Sequence, residues 1–231
     1  MNPRVQIAAA KTPSGGELAL YRHGDDFSIT INGQELMHSR QHESELELAR
    51  LGCAHLSGAH PSGAHPTGSK APRILIGGLG MGFTLRQALD LLCPRARVVV
   101  AELSPVIVHW NHHYFGGLNN HPLGDERVTL AVGDVVDLIS RSRDRFDAIL
   151  LDIDNGPDAL SAPLNHRLYG PAGLRACRGA LRERGRLAVW SAAASPKFVR
   201  LVSDSGFNLR RFRVPAYRGR KSRSRVVWVA S

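Results

Sequence analysis

An α/β fold built on a mostly parallel, doubly wound sheet is predicted by three observations. From Pro72 onward, short apolar runs alternate with amphipathic helical patterns. The first of these runs, Arg73-Ile-Leu-Ile-Gly-Gly-Leu-Gly-Met-Gly82, breaks into glycine, as a strand does at a tight turn. Ahead of it stands a smaller β unit: Phe27-Ser-Ile-Thr-Ile31 alternates apolar and polar residues and runs into Asn32-Gly33, a strong hairpin signal.

The 231 residues suffice for one sizeable core with a small appendage, and a 43% hydrophobic content excludes a disordered chain. No apolar run approaches the roughly 20 residues of a membrane span. The stretch after Met1 is too short in apolar residues for a secretory signal. Cys53, Cys93 and Cys177 are odd in number, and none forms a C-x-x-C pair, so no disulfide framework and no zinc site is expected. A soluble protein of the reducing cytoplasm is the resulting expectation. The formal charge of +10 is uneven: no acid follows Asp204, and the last 27 residues carry +8 of it. Any anionic partner therefore meets the C-terminal end.

Three regions are expected. Residues 1–56 hold short strands within 16–37 and a helix at about 41–56, with Leu46, Leu48, Ala49, Leu51 and Cys53 apolar. Residues 57–71 repeat Ser-Gly-Ala-His-Pro and read as a flexible Gly/His/Pro linker. Its histidines, with His55, lack the rigid frame a metal site needs, so no metal is expected. Residues 72–231 form the main domain. Strands are expected at 73–77, 97–102, 128–132, 146–152, 186–191, 208–214 and 225–230, seven in all. Helices are expected at 84–93, 105–114, 135–141, 172–182 and 196–204. Thr84 is a candidate cap for the first, and Ser104-Pro105 supplies a cap and an N1 proline for the second. The last two strands have no helix between them and should pair as an antiparallel hairpin. Trp110-Asn-His-His-Tyr-Phe115 reads as a helix end and loop.

In such sheets the ligand sits beyond the carboxyl ends of the strands, near the topological switch. Four consecutive strand ends here carry a glycine turn or a carboxylate. Gly78, Gly80 and Gly82 end the first, and Glu102 ends the second, where an acid binds ribose hydroxyls in nucleoside-binding folds. Asp134 ends the third and Asp152 the fourth. The glycines read G-x-G-x-G rather than the dinucleotide pattern G-x-G-x-x-G, and no P-loop lysine follows. That spacing favours a ligand without phosphate, such as a sulfonium nucleoside.

These residues resemble the spermidine synthases and related polyamine aminopropyltransferases, within the seven-stranded Rossmann-like superfamily that also holds the class I methyltransferases. The resemblance rests on Gly77-Gly-Leu-Gly-Met-Gly-Phe-Thr-Leu-Arg86, Glu102, Gly133-Asp134, Phe146-Asp-Ala-Ile-Leu-Leu-Asp152, Val214-Pro-Ala-Tyr217 and the small β unit around Asn32-Gly33. It implies cofactor binding by Gly78, Gly80, Gly82, Glu102 and Asp134. It implies Asp152 as the catalytic base, and Asp154 and Tyr217 beside the acceptor. The implied co-substrate is decarboxylated S-adenosylmethionine, and the implied partner is a small amine. A homodimer stays open, and no membrane partner is expected.

The sequence departs from the family in one direction. Gly80 stands where the family carries an acid that holds the cofactor's free amine. The Asp-x-x-Asp-Pro stretch is shortened to Asp152-x-Asp154-Asn, the family's Tyr is missing near Glu45, and Trp190-Ser191 lacks the usual Gln. A basic run, Arg218 to Arg225, lies between the last two strands. Two alternatives therefore stay open beside aminopropyl transfer. One is methyl transfer from S-adenosylmethionine to a small, anionic acceptor. The other is a non-catalytic nucleoside-binding relative whose basic end meets nucleic acid.

Overall fold

The computed structural model describes residues 3–12, 15–56, 71–153, 156–157, 167–217 and 224–231. The His-Pro repeat, Asp154 and residues 218–223 lie outside the described residues. Four antiparallel strands open the chain: β1 (Val5–Lys11), β2 (Glu17–His23), β3 (Asp26–Ile31) and β4 (Gln34–His38), paired in that order. Asn32 and Gly33 close the β3–β4 hairpin with φ of 50° and 79°, the left-handed pair that a two-residue turn requires. β1 was not expected. Its Val-Gln-Ile-Ala-Ala-Ala-Lys sequence has little intrinsic β preference, and pairing with β2 makes it a strand.

The helix α1 (Glu43–Cys53) follows. Ser44, Leu48, Ala49, Gly52 and Cys53 form its buried face, at the i, i+4 spacing of one helix side. Gly52 lies directly over Leu150 and Ala188 of the large sheet; a side chain there would run into Leu150. Glycine at this point lets α1 lie close on that sheet.

The large sheet comprises β5 (Arg73–Gly77), β6 (Arg97–Glu102), β7 (Val128–Val132), β8 (Phe146–Leu151), β9 (Leu181–Ser191), β10 (Leu209–Pro215) and β11 (Ser224–Ala230). Its order is β10-β11-β9-β8-β5-β6-β7. Strands β5 to β9 run parallel, and the order reverses between β5 and β8, which places the topological switch there. The expected hairpin of β10 and β11 forms, with β11 antiparallel to β9. Because β11 runs backward, its first residues stand beside the carboxyl end of β9. Ser191 pairs with Val226 and Trp190 with Val227.

The helices of the large unit are α2 (Phe83–Leu91), α3 (Pro105–Trp110), α4 (Val135–Ser140), α5 (Pro171–Ala180) and α6 (Pro196–Asp204). Two expectations need correction. Strand β9 begins at Leu181, immediately after α5, because Leu181 pairs with Phe146 and is buried. The helix expected to reach 182 therefore ends sooner. Thr84 does not cap α2; the cap position is Gly82, at φ 86°, and Thr84 is buried inside the first turn. Ser104 does cap α3, accepting from the Ile107 amide, with Pro105 next. Past α3 the chain widens into a π-helical turn, Asn111–Phe115.

Side chains alternate along the parallel strands. Ile74, Ile76, Val98, Val100 and Leu150 face one core, which extends to Leu20 and Ile29 of the small sheet. Leu75, Ile149, Leu151 and Val189 face the other, under α4, α5 and α6. The small sheet thus shares a core with the large one, and Phe27 meets Phe115 edge-on at 5.6 Å between ring centroids.

Candidate active site

The site begins where the parallel ladder runs out. The ladder continues one step past each strand, with Asp152 N–H donating to Gly77 O at 2.8 Å, Gly78 N–H to Ala101 O at 2.9 Å and Gly133 N–H to Glu102 O at 2.9 Å. Gly78, Asp152, Glu102 and Gly133 therefore stand in one row across four strand ends. Gly78 is held at φ 90°, and a Cβ there would collide with the Asp152 carbonyl oxygen. Only glycine permits that approach.

Side chains then fasten the glycine turn. Glu102 is buried and uses both carboxylate oxygens: Oε2 accepts from the Leu79 amide at 2.8 Å and Oε1 from the Ser104 amide at 2.8 Å. Asn111 Nδ2 donates to Gly80 O and Asn119 Nδ2 to Met81 O, each at 2.8 Å. A single turn is thus clamped by an acid from β6 and by two amides from the segment after α3. A π-turn often marks a functional site, and this one carries Asn111 at its first position.

Asp134 caps α4 by accepting from Val136 N–H at 2.8 Å, and its other oxygen lies 3.5 Å from Arg167. Leu103 and Val132 are exposed at the ends of β6 and β7, beside Glu102 and Gly133. They leave apolar surface flanking the row of carboxylates, a fitting wall for a flat ring.

The enclosed part of the site is a cavity of about 460 Å³ next to this row. Its walls come from β4 (Glu35 to His38), the start of α1, the glycine turn and the ends of β8, β9 and the last hairpin. Of the residues expected at the site, Gly80, Asp152 and Tyr217 line it. Gly78, Gly82, Glu102 and Asp134 lie outside the cavity lining. Gly82 and Glu102 support the turn that borders it. Asp154 lies outside the described residues.

Two carboxyls share this cavity. Asp152 Oδ2 accepts from Thr84 Oγ1 at 2.7 Å, which is what Thr84 does in place of capping. Surrounding protein atoms desolvate Asp152 and push its carboxyl up to about 6, against the pull of the Thr84 hydroxyl. Glu45 is pushed further, to about 8, first by burial and then by the Asp152 charge; the Ser44 hydroxyl and Arg225 act the other way. Asp152 loses its proton first, and its charge keeps the next proton on Glu45. Both carboxyls are thus held above their ordinary range, Glu45 the more strongly.

Sequence reasoning assigned no site role to Glu45, Asn111, Asn119, Trp190 or Arg225 taken singly. For Glu45 a signal existed: it lies four residues before Ala49 and eight before Cys53, on the inward side of α1. His109 and His113 form an i, i+4 stack, with ring centroids 4.0 Å apart, that the adjacent pair His112-His113 concealed. No group of three or more His, Cys, Asp or Glu side chains is placed to hold a metal among the described residues. Among them, too, no helix is long and apolar enough to cross a membrane.

An open seven-stranded sheet with this row of strand-end groups, beneath a four-stranded antiparallel sheet, defines a spermidine-synthase-like α/β fold. A spermidine synthase solved with the transition-state analogue AdoDATO superimposes with a TM-score of 0.73 at 16% identity, covering 98% of this chain and 72% of that one. The spermidine synthase of Thermotoga maritima gives 0.71 at 17% identity, with the same coverage. By sequence, a polyamine aminopropyltransferase of Saccharolobus islandicus is 28% identical over 130 residues, 56% of this chain and 41% of that protein. One from Pyrobaculum neutrophilum is 29% identical over 120 residues, 51% of this chain and 40% of that protein. The match thus spans less than half the length of these curated relatives. No family model matches the chain. In sequence the chain is thus similar to polyamine aminopropyltransferases at 28–29% identity, and in fold to spermidine synthases.

Two predictions follow from the turn and the carboxyl pair. Gly78→Ala should cost about 2–4 kcal/mol in urea unfolding, from a left-handed φ plus overpacking against backbone. Gly80→Asp should cost under about 1 kcal/mol. Its φ of 53° is one that Asp tolerates, and the nearest atom to a new Cβ is Met37 Sδ at 3.6 Å. Equal costs for the two would show that the turn is not built on the Gly78 contact. The second prediction concerns pH. The folded chain keeps a proton on Glu45 that the unfolded chain releases near pH ~4.3. Folding stability must then fall as pH rises from there through about 8. Glu45→Gln should flatten the decline of Tm across pH ~5.5–8.5; an unchanged slope would exclude a proton held on Glu45.

Proposed function

We propose that this chain is a transferase that uses an adenosyl sulfonium co-substrate. Its leading activity is aminopropyl transfer from decarboxylated S-adenosylmethionine to an amine, in polyamine biosynthesis. The observation that carries this reading is the position of Asp152. It adjoins the glycine turn at the topological switch, it is desolvated, and it opens into a cavity of small-molecule size. The likeness to polyamine aminopropyltransferases supports the same reading.

The sulfonium supplies a carbon activated for in-line displacement, with a neutral thioether as leaving group. The protein's own residues then have separate tasks. Glu102 and Asp134, with the exposed Leu103 and Val132 between them, form the face that receives the adenosyl group; Glu102 takes the ribose hydroxyls and Asp134 the adenine side. The turn from Gly78 to Gly82 brings backbone close to the sulfonium. Asp152 takes a proton from the acceptor ammonium, because only the free amine has the lone pair that attacks carbon. As the new C–N bond forms and the C–S bond breaks, sulfur keeps the bonding electrons. Thr84 fixes the Asp152 carboxylate by donating to Oδ2, which leaves Oδ1 to face the amine. Tyr217, which lines the cavity, and Asp154 are assigned to the acceptor.

Methyl transfer from intact S-adenosylmethionine is the second reading, and Gly80 favours it. With no acid in the turn, nothing there repels a cofactor that keeps its carboxylate. Calorimetry with both cofactors separates the readings, since binding of S-adenosylmethionine alone would reject aminopropyl transfer.

Asp152→Asn should lower transfer by about 10²–10⁴-fold, the usual worth of a positioned base. Binding of the adenosyl co-substrate, measured by calorimetry, should stay within a few-fold. Turnover at the level of the parent protein would remove Asp152 from the base role.

A further inference from the structure

The cavity that holds the two carboxyls also holds a cation. Arg225 is the second residue of β11, and the reversed direction of that strand carries it to the carboxyl end of β9, on the ligand side. Its guanidinium lies 5.8 Å from the Trp190 ring centroid, so it has a flat neighbour but no counter-charge there. Its charge reaches Glu45, yet among the described residues it makes no hydrogen bond and no ion pair within 4.0 Å. Arg225 is a charged donor, and a carboxylate is the small-molecule group that accepts bidentately from a guanidinium.

From this arrangement we infer that the ligand filling the cavity carries a carboxylate, bound by Arg225, beside an amine bound by Glu45 and Asp152. The substrate class is then an amino carboxylate and not a plain diamine. This deepens the proposed sulfonium-transferase reading and rests on it for the location of the site. Charge favours the same conclusion. Burial and mutual repulsion oppose ionisation of both Glu45 and Asp152, so the inner end of the cavity is acidic without carrying two full charges. Arg225 supplies one positive charge. Glu35 and His38 also line the cavity, but Glu35 is exposed on β4 and water screens it. Among the described lining residues outside the carboxyl pair, only the screened Glu35 would offset the repulsion between Arg225 and the second ammonium of a linear diamine. A zwitterion places one end on each charge. The carboxylate has two potential sources with the same chemistry: the acceptor, or the methionine tail of S-adenosylmethionine.

Two pairs of probes differ by that one carboxylate and nothing else. They are S-adenosylmethionine against its decarboxylated form, and ornithine against 1,4-diaminobutane. Calorimetric titration of the purified chain should show the carboxylate-bearing member of at least one pair binding roughly tenfold or more tighter, the worth of a charge-assisted contact. Arg225→Gln should abolish that preference, and Arg225→Lys should restore part of it. Circular dichroism should show both variants folded. A preference within the cofactor pair assigns the carboxylate to the cofactor tail, and one within the ornithine pair assigns it to the acceptor. The inference is overturned if neither pair shows a preference, or if Arg225→Gln leaves the preference intact. Failure of both cofactors to bind would sink the sulfonium reading instead. The ornithine pair, titrated without nucleoside, still decides the role of Arg225 in that event.

Discussion

The close approach of Gly78 to the Asp152 carbonyl sets where every other group of the site can stand. It is a backbone contact between the ends of two neighbouring strands at the point where the sheet order reverses. Because β5 and β8 are held in register below it, the turn after β5 cannot shift along β8 without breaking ladder bonds. The carboxylate of Asp152 is therefore placed relative to the turn by the sheet itself. The Thr84 hydroxyl, in the first turn of α2, then fixes its direction. Glu102, Asn111 and Asn119 complete this frame by binding the turn's own amide and carbonyl groups. Buried polar groups are satisfied here almost entirely by backbone, which makes the turn rigid before any ligand arrives.

That rigidity contrasts with the electrostatic tension next to it. Placing two carboxyls in one partly dry cavity opposes ionisation of both and holds both above their ordinary range. The cost falls on stability as pH rises, while the gain falls on chemistry. A base that titrates near neutrality can accept a proton from an ammonium and release it again. Small hydroxyls, from Ser44 and Thr84, hold the two carboxyls without neutralising them. A lysine or arginine in direct contact would have lowered both.

Much of this was legible from local sequence. The Asn32-Gly33 hairpin, the seven strands of the large sheet and the Ser104-Pro105 helix start each depend on a few adjacent residues, and each forms, with β9 alone starting well ahead of its expected bounds. The glycine turn and the carboxylates at 102, 134 and 152 were legible for a related reason. A parallel sheet places every strand's carboxyl end on one side, so strand-end position is read straight from strand boundaries. What stayed hidden depends on long-range packing. Strand β1 exists because β2 offers it an edge. Thr84 looked like a cap because hydroxyls precede helices, but the left-handed Gly82 takes that position and frees Thr84 for Asp152. Glu45 enters the site only because Gly52 lets α1 lie on the large sheet. Asn111 and Asn119 matter through a π-turn that no sequence period announces. Arg225 looked like one more charge of a basic run. Pairing of β11 with β9 places it at the cavity.

The site thus divides into two halves with different physical origins. Toward β6 and β7 it is made of strand ends, backbone amides and a buried acid, all fixed by the register of the large sheet. Little there can change without disturbing the fold. Toward β4, α1 and the last hairpin it is made of side chains brought in from outside the parallel strands: Met37, Glu45, Tyr217 and Arg225. These can vary while the sheet stays as it is. The loss of an acid at Gly80 and the presence of a cation at Arg225 both fall in the second half. They set the charge of the cavity without touching the frame that holds Asp152.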